Sequence, residues 1–200
     1  MIKILNGYAG LGGNRRLWGN EHKITAIEND EKIAEVYQSH FPNDEVIIGD
    51  AHEYLLNNFH KYDFIWYSPP CPSHSDIRRM ATDAGSVLPI YPEMSLYQEI
   101  ILLQTYYKGQ WCVENVKPYY KPLIPAQVRD RHCFWANFYI PEFKKTISKH
   151  NMPTDKASEM MGFDLSNYKG DKRKILRNCV LPEVGKLILD AAIRQNPQLI

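Results

Sequence analysis

Four clusters in this 200-residue chain combine residue types and spacings that can do chemistry. The run Ser68-Pro69-Pro70-Cys71-Pro72-Ser73-His74-Ser75 holds a thiol on a segment stiffened by the prolines before it. Such a thiol becomes a nucleophile once a base captures its proton or its pKa falls. Val113-Glu114-Asn115-Val116-Lys117 offers a carboxyl group fit for general acid work or for a hydrogen-bonding clamp. Gln127-Val128-Arg129-Asp130-Arg131 carries arginines at i and i+2, which on an extended segment point the same way. They can grip a phosphate or a base carbonyl. Finally, Asn6-Gly7-Tyr8-Ala9-Gly10-Leu11-Gly12-Gly13 holds four of the eleven glycines.

Gly10, Gly12 and Gly13 allow a backbone to approach a ligand where a Cβ would collide. Glu28, fifteen residues beyond Gly13, can accept the two hydroxyls of a ribose, and Asp50 can meet an adenine amino group. Together they fit a nucleoside cofactor. The pyrophosphate of NAD calls for a GxGxxG spacing, from which Gly10-Leu11-Gly12-Gly13 departs, so S-adenosylmethionine is the better fit. Each cluster also has a plainer reading: an inert thiol, a surface ion-pair partner, a charged strand edge, an ordinary turn. Cys112, Cys133 and Cys179 are read as inert thiols. No CxxC pair occurs, so a zinc site of the usual spacing is not expected.

The elements that must position these residues alternate. Ile2 to Leu5 predicts a buried strand, Lys23 to Glu28 a second, and Glu45 to Ile48 a third. Asp30 predicts the cap of a helix with Ile33, Ala34, Val36 and Tyr37 on its apolar face. Tyr62 to Tyr67 predicts a fourth strand and Gln110 to Val113 a fifth, with a helix over Glu93 to Tyr107 between them. Residues 72–92 read as a loop. This alternation argues for a mostly parallel sheet flanked by helices, with the ligand site at the carboxyl ends of the strands. All the clusters of the first half fall at those ends. The second half is less regular: a strand over Cys133 to Ile140, an irregular basic stretch over 141–176, and a closing helix from Leu181 to Arg194.

Length and composition agree with one soluble α/β domain, 44% apolar and 24% charged. No apolar run approaches the roughly 20 residues of a membrane span, and the start is too short for a signal peptide. A cytoplasmic protein with no membrane partner is expected. The net charge of +1 hides an asymmetry: residues 1–100 sum to −6 and residues 101–200 to +7. Between Lys117 and Arg177 stand 13 basic and 6 acidic residues, which suggests a polyanion partner for that half.

In this order the clusters resemble the DNA (cytosine-5) methyltransferase family, from about Ile4 to Ile193. The resemblance implies a Rossmann-like S-adenosylmethionine-dependent methyltransferase fold. It implies that Tyr8, Ala9, Gly10, Leu11, Gly12 and Gly13 hold the cofactor, with Glu28 and Asn29 at the ribose and Asp50 and Ala51 at the adenine. Pro69 is placed beside them, as are Asn178 and Val180 of a final motif that folds back to the cofactor. Pro70-Cys71 resembles the catalytic Pro-Cys pair, and Glu114-Asn115-Val116 is identical to the family's Glu-Asn-Val. Gln127, Arg129 and Arg131 match Gln-x-Arg-x-Arg. By family chemistry Cys71 adds to carbon 6 of a flipped cytosine and Glu114 binds N3 and the amino group. Arg131 holds O2, with Arg129 in support. Pro70, Ser75, Asn115 and Gln127 line the base. DNA is the implied substrate, and restriction–modification, regulation and phage life are settings for such enzymes, bacterial or phage-encoded.

The chain also departs from the family. Pro72 replaces a glutamine and His74 a phenylalanine on the loop that closes over the base. Asn6-Gly7 replaces an acid and a leucine, and Arg177 replaces a glycine. The expected division is a catalytic core over 1–131, a reduced recognition segment over 132–176 and a returning segment over 177–200. Those 45 middle positions allow a basic arm with Trp135, Phe138 and Tyr139, short specificity, or specificity through self-association. RNA cytosine methylation, or a non-catalytic nucleic-acid-binding subunit, are the alternatives. The presence of both Cys71 and Glu114 argues against the latter.

Overall fold

In the computed structural model, which describes residues 1–143 and 152–196, seven strands form one sheet in the order β3-β2-β1-β4-β5-β7-β6. These are β1 (Lys3–Gly7), β2 (Lys23–Glu28), β3 (Glu45–Ile48), β4 (Phe64–Tyr67), β5 (Gln110–Val116), β6 (Gln127–Arg129) and β7 (His132–Ala136). The first five run parallel, while β7 is antiparallel to β5 and β6 to β7. Because β1 lies between β2 and β4, strand order reverses beside it. The crevice of such a sheet opens there, at the carboxyl ends.

Side chains alternate between two buried faces, as the period of two dictates. Ile4, Ile24, Phe64, Trp66, Cys112 and Phe134 meet the closing helix α7 (Pro182–Gln195) through Ile188 and Leu189. Leu5, Ile27, Ile65, Tyr67, Val113 and Trp135 meet α2 (Ala51–Asn58) and α4 (Ser95–Tyr106) through Leu55, Ile100 and Leu103. Asp30 caps α1 (Glu31–His40) by accepting from the amides of Lys32 and Ile33, as its position before the apolar run predicts. Among the described residues no helix is long and apolar enough to cross a membrane.

The structure corrects several element readings. Residues 72–92 are not all loop: Ser75 accepts from the Arg78 amide and starts α3 (Asp76–Asp83), none of whose residues is buried. The stretch 141–176 is not irregular where described. It holds α5 (Thr154–Met161) and the start of α6 (Lys172–Asn178), which bury Ala157, Met161, Ile175 and Leu176 against Leu11, Tyr37 and Phe41. Residues 144–151 of that stretch lie outside the described residues. Nor do Trp135 and Phe138 form an arm: both are core, and Tyr139 alone of the three is exposed. β5 continues through Val116, so Glu114 and Asn115 belong to the strand itself.

Candidate active site

The glycine run forms a tight turn off β1 in which each glycine meets a different demand. Gly12, at φ +79°, lies against Phe41 and Tyr37, and a Cβ on Gly13 would sit 2.4 Å from the Val180 carbonyl oxygen. Gly10, at φ +54°, has nothing within 4 Å of a Cβ position, so this stretch of backbone is open to a ligand. Its amide donates to Glu28 Oε2 at 2.8 Å, while Glu28 Oε1 accepts from the amides of Asn29 and Asp30 at 3.0 Å each. A carboxylate has about four acceptor positions, so with three taken by backbone amides Glu28 keeps one open. Asp50 caps α2, its Oδ1 accepting from the amides of His52 and Glu53, and Ala51 is buried behind it. Buried Ala9 and Leu11 anchor the turn, and exposed Asn29 stands at its rim. Asn178 ends α6, and Val180 closes on Gly13, so the final segment returns to the cofactor turn.

The loop after β4 carries Cys71. His74 and Ser75 donate their amides to the Cys71 carbonyl at 3.0 and 3.2 Å, which folds the loop into a turn. Buried His74 bonds Tyr120 through Nδ1 at 2.7 Å, its carbonyl accepts from Tyr119, and Ser75 bridges to Pro118. Asn115 Nδ2 donates to the Pro69 carbonyl at 3.0 Å. The thiol-bearing loop is therefore fastened to β5 and its continuation, with Pro70 exposed at its crest. Burial pushes the half-buried Cys71 thiol up to about 11, and the charge of nearby Glu114 adds to the shift. Cys112 and Cys133 are buried thiols raised by burial, in keeping with an inert role.

Glu114 is buried, and its Oε1 lies 2.6 Å from His132 Nδ1. The arginine pair does not point one way as an extended segment would dictate. Asp130, at φ 52°, turns the chain between β6 and β7. Arg129 ends β6 and spends its guanidinium on the carbonyls of Ile140 and Val128 and on Glu142. Arg131 occupies the turn, and its carbonyl accepts from the Lys117 amide at 2.8 Å, beside the end of β5. Gln127 is likewise committed, donating to the Phe138 carbonyl and accepting from the Ile140 amide. Both side chains brace the β6–β7 hairpin against the chain that follows it.

Sequence reasoning missed His132, which falls just before the strand read over Cys133 to Ile140. It also missed a triad built on a buried carboxyl beside the glycine turn. Glu99 on α4, 1% exposed, accepts from Tyr8 Oη at 2.6 Å and lies 3.0 Å from His52 Nδ1. Burial raises the Glu99 carboxyl to about 7. A carboxyl six positions into the helix predicted over Glu93 to Tyr107 was the available signal. The described residues contain no group of three or more His, Cys, Asp or Glu side chains placed to hold a metal ion.

A mostly parallel sheet with an open glycine turn off β1 and a thiol loop off β4 is the fold of Rossmann-like methyltransferases. The family model of C-5 cytosine-specific DNA methylases matches residues 2–118. The chain belongs to this family of S-adenosylmethionine-dependent DNA cytosine-5-methyltransferases. The match covers the glycine turn, Cys71 and Glu114, while Gln127, Arg129, Arg131, Asn178 and Val180 lie beyond it. No curated protein matches the chain. Among solved structures, the Entamoeba histolytica methyltransferase EhMeth is similar, with TM-score 0.57 at 10% identity over 98% of both chains. A Spodoptera frugiperda DNMT2 mutant aligns at 24% identity over 58% of this chain and 36% of its own, TM-score 0.40. A TehB-like SAM-dependent methyltransferase from Corynebacterium glutamicum aligns at 15% identity over 57% and 55%, TM-score 0.37.

Proposed function

We propose that the protein methylates carbon 5 of cytosine in DNA through a transient bond between Cys71 and carbon 6 of a base flipped out of the duplex. The observation that carries this reading is the joining of two clusters 43 residues apart: Asn115 donates to the Pro69 carbonyl, which ties the loop bearing Cys71 to the strand bearing Glu114. S-Adenosylmethionine, when bound, supplies the electrophilic methyl group. Gly10 offers it open backbone, Glu28 an acceptor for its ribose, and Asp50 an acceptor for its adenine; the donor set suits a nucleoside.

Cys71 contributes its sulfur, which makes carbon 5 electron-rich on adding to carbon 6. Burial and then the charge of Glu114 hold its thiol near 11, so attack requires that the thiol proton leave to water as the base is engaged at N3. Arg131 holds O2 from the hairpin turn. Pro70, Ser75 and Asn115 frame the base; Gln127 and Arg129 hold the hairpin that presents Arg131. Extrusion of the base costs a few kcal/mol. The basic residues of 117–177 meet the phosphates, and target choice falls to the exposed parts of 132–176 and α3.

The test is transfer of labelled methyl from S-adenosylmethionine to DNA and to RNA, with Cys71→Ser beside the wild type. Carbon-5 methylcytosine in DNA and an inactive mutant are expected, with a covalent adduct on 5-fluorocytosine DNA. Full activity in Cys71→Ser, or an N4-methyl product, ends this reading.

A further inference from the structure

We propose that His132 is the positioning residue that fits Glu114 for proton donation to N3, an assignment that rests on the cytosine reading above. β5 and β7 pair so that Glu114 faces Phe134, and His132 lies two residues from Phe134 on the same face. The imidazole stacks on Phe134 at 27° with centroids 6.1 Å apart, which fixes its plane. Its Nδ1 then meets Glu114 Oε1 at 2.6 Å, with the two side chains only 20% and 8% exposed. A bond this short and sheltered between diagonal neighbours commits one carboxyl oxygen and leaves the other, Oε2, for a ligand.

With the imidazole proton on Nδ1, Oε1 accepts and Oε2 carries the acid proton toward N3. The Cys71 S–H bond breaks first, its proton leaving to water; as the thiolate sulfur bonds to carbon 6, the C5=C6 electron pair moves between C4 and C5, and the C4=N3 pair moves to N3. The Oε2–H bond breaks as N3–H forms. Glu114 is now an anion, and the bond from Nδ1–H becomes charge-assisted, about twice as strong as a neutral one. It therefore favours the adduct over the bound ground state, which is how a hydrogen bond raises turnover. Once carbon 5 has been methylated and has given up its proton to water, the C–H electron pair re-forms C5=C6, the sulfur leaves carbon 6 as a thiolate, the N3 proton returns to Oε2 and the pair resets. The titratable groups facing Glu114 are His132 on β7, Cys71 on the β4 loop and Cys112 on its own strand, while Cys133, between His132 and Phe134, lies on the other face of the sheet. The three thiols are all raised and stay neutral near pH 7, so His132 is the one of these groups that supports the Glu114 charge.

His132→Phe keeps the stacked ring and removes Nδ1; His132→Asn restores an N–H at similar reach. His132→Phe is expected to lower kcat, and the rate of adduct formation with 5-fluorocytosine DNA, by about a hundredfold. The KM for DNA and the affinity for S-adenosylmethionine stay as in the wild type. The basic limb of the kcat–pH profile moves to higher pH, since a carboxyl that loses a donor holds its proton more tightly. His132→Asn recovers most of the loss. The unaltered protein carries a downfield Nδ1 proton resonance that Glu114→Gln abolishes. Wild-type kcat in His132→Phe beside an inactive Cys71→Ser overturns the assignment and leaves the cytosine reading standing. A full-activity Cys71→Ser overturns the reading beneath it. An unmoved pH limb, no recovery by His132→Asn, or no downfield resonance in the wild type also overturns the role of His132.

Discussion

At the scale of single residues, the chemistry is set by what each polar group is allowed to touch. Cys71 is an unreactive thiol in the free protein, held near 11 first by burial and then by the charge of Glu114. Its alkylation by iodoacetamide is therefore expected to rise steeply only toward that pH. Glu114→Gln removes the charge but not the burial, so the midpoint moves down while staying above that of an exposed thiol. Thiolate absorbance during a pH titration checks this. A midpoint equal in both proteins contradicts the coupling between the two side chains. The residue types at positions 71 and 114 were legible in the sequence because a nucleophile and an acid have few substitutes. His132 was not, because its partner is chosen by strand pairing, and cross-strand register is invisible before the sheet is known.

Elements follow the same rule. β2, β3 and α1 were read to within a residue or two because apolar alternation and the Asp30 cap are local signals. The exposed α3 offers no buried stripe to betray it, and the apolar residues of α5 and α6 declare themselves only against Leu11 and Tyr37, over a hundred residues earlier. The arginine pair was misread because the left-handed turn at Asp130 breaks the strand on which the two side chains were meant to align. The contact between the glycine turn and the segment after α6 is equally long-range. Gly13→Ala forces a Cβ to 2.4 Å from the Val180 carbonyl oxygen and 2.9 Å from Cys179 Cβ. Overpacking of this kind costs about 1–3 kcal/mol, here spent on separating the two halves of the cofactor turn. Thermal melts and titration with S-adenosylmethionine are expected to fall together. An alanine variant with unchanged melting and unchanged affinity rules out the clasp as a support of the site.

For the whole molecule, the buried Glu99 links stability to pH. Its carboxyl is raised from 4.5 to about 7, mainly by burial. A group raised on folding stabilises fully below its unfolded value and loses that contribution as pH climbs through the folded one. Stability attributable to Glu99 is thus complete below about pH 4.5 and gone above about pH 7, a span worth on the order of 3 kcal/mol. Glu99→Gln, which can still accept from Tyr8, is expected to flatten this slope in denaturant melts taken across the range. Parallel profiles for the two proteins exclude the assignment. The charge asymmetry read from the sequence, −6 against +7, spans the same sheet, for β6 and β7 of the basic half complete the strands begun by the acidic one. That shared architecture also fixes an order of events during synthesis. The indole of Trp18 donates to the Gly185 carbonyl at 3.1 Å, and a Cβ on Gly185 would strike the Asn14 backbone. A chain emerging at about 5–20 residues per second must wait on the order of ten seconds between making the first of these partners and the second. Through that interval Trp18, Phe64 and Trp66 lack the helix that covers them, so the nascent chain presents its stickiest face to chaperones until α7 has emerged.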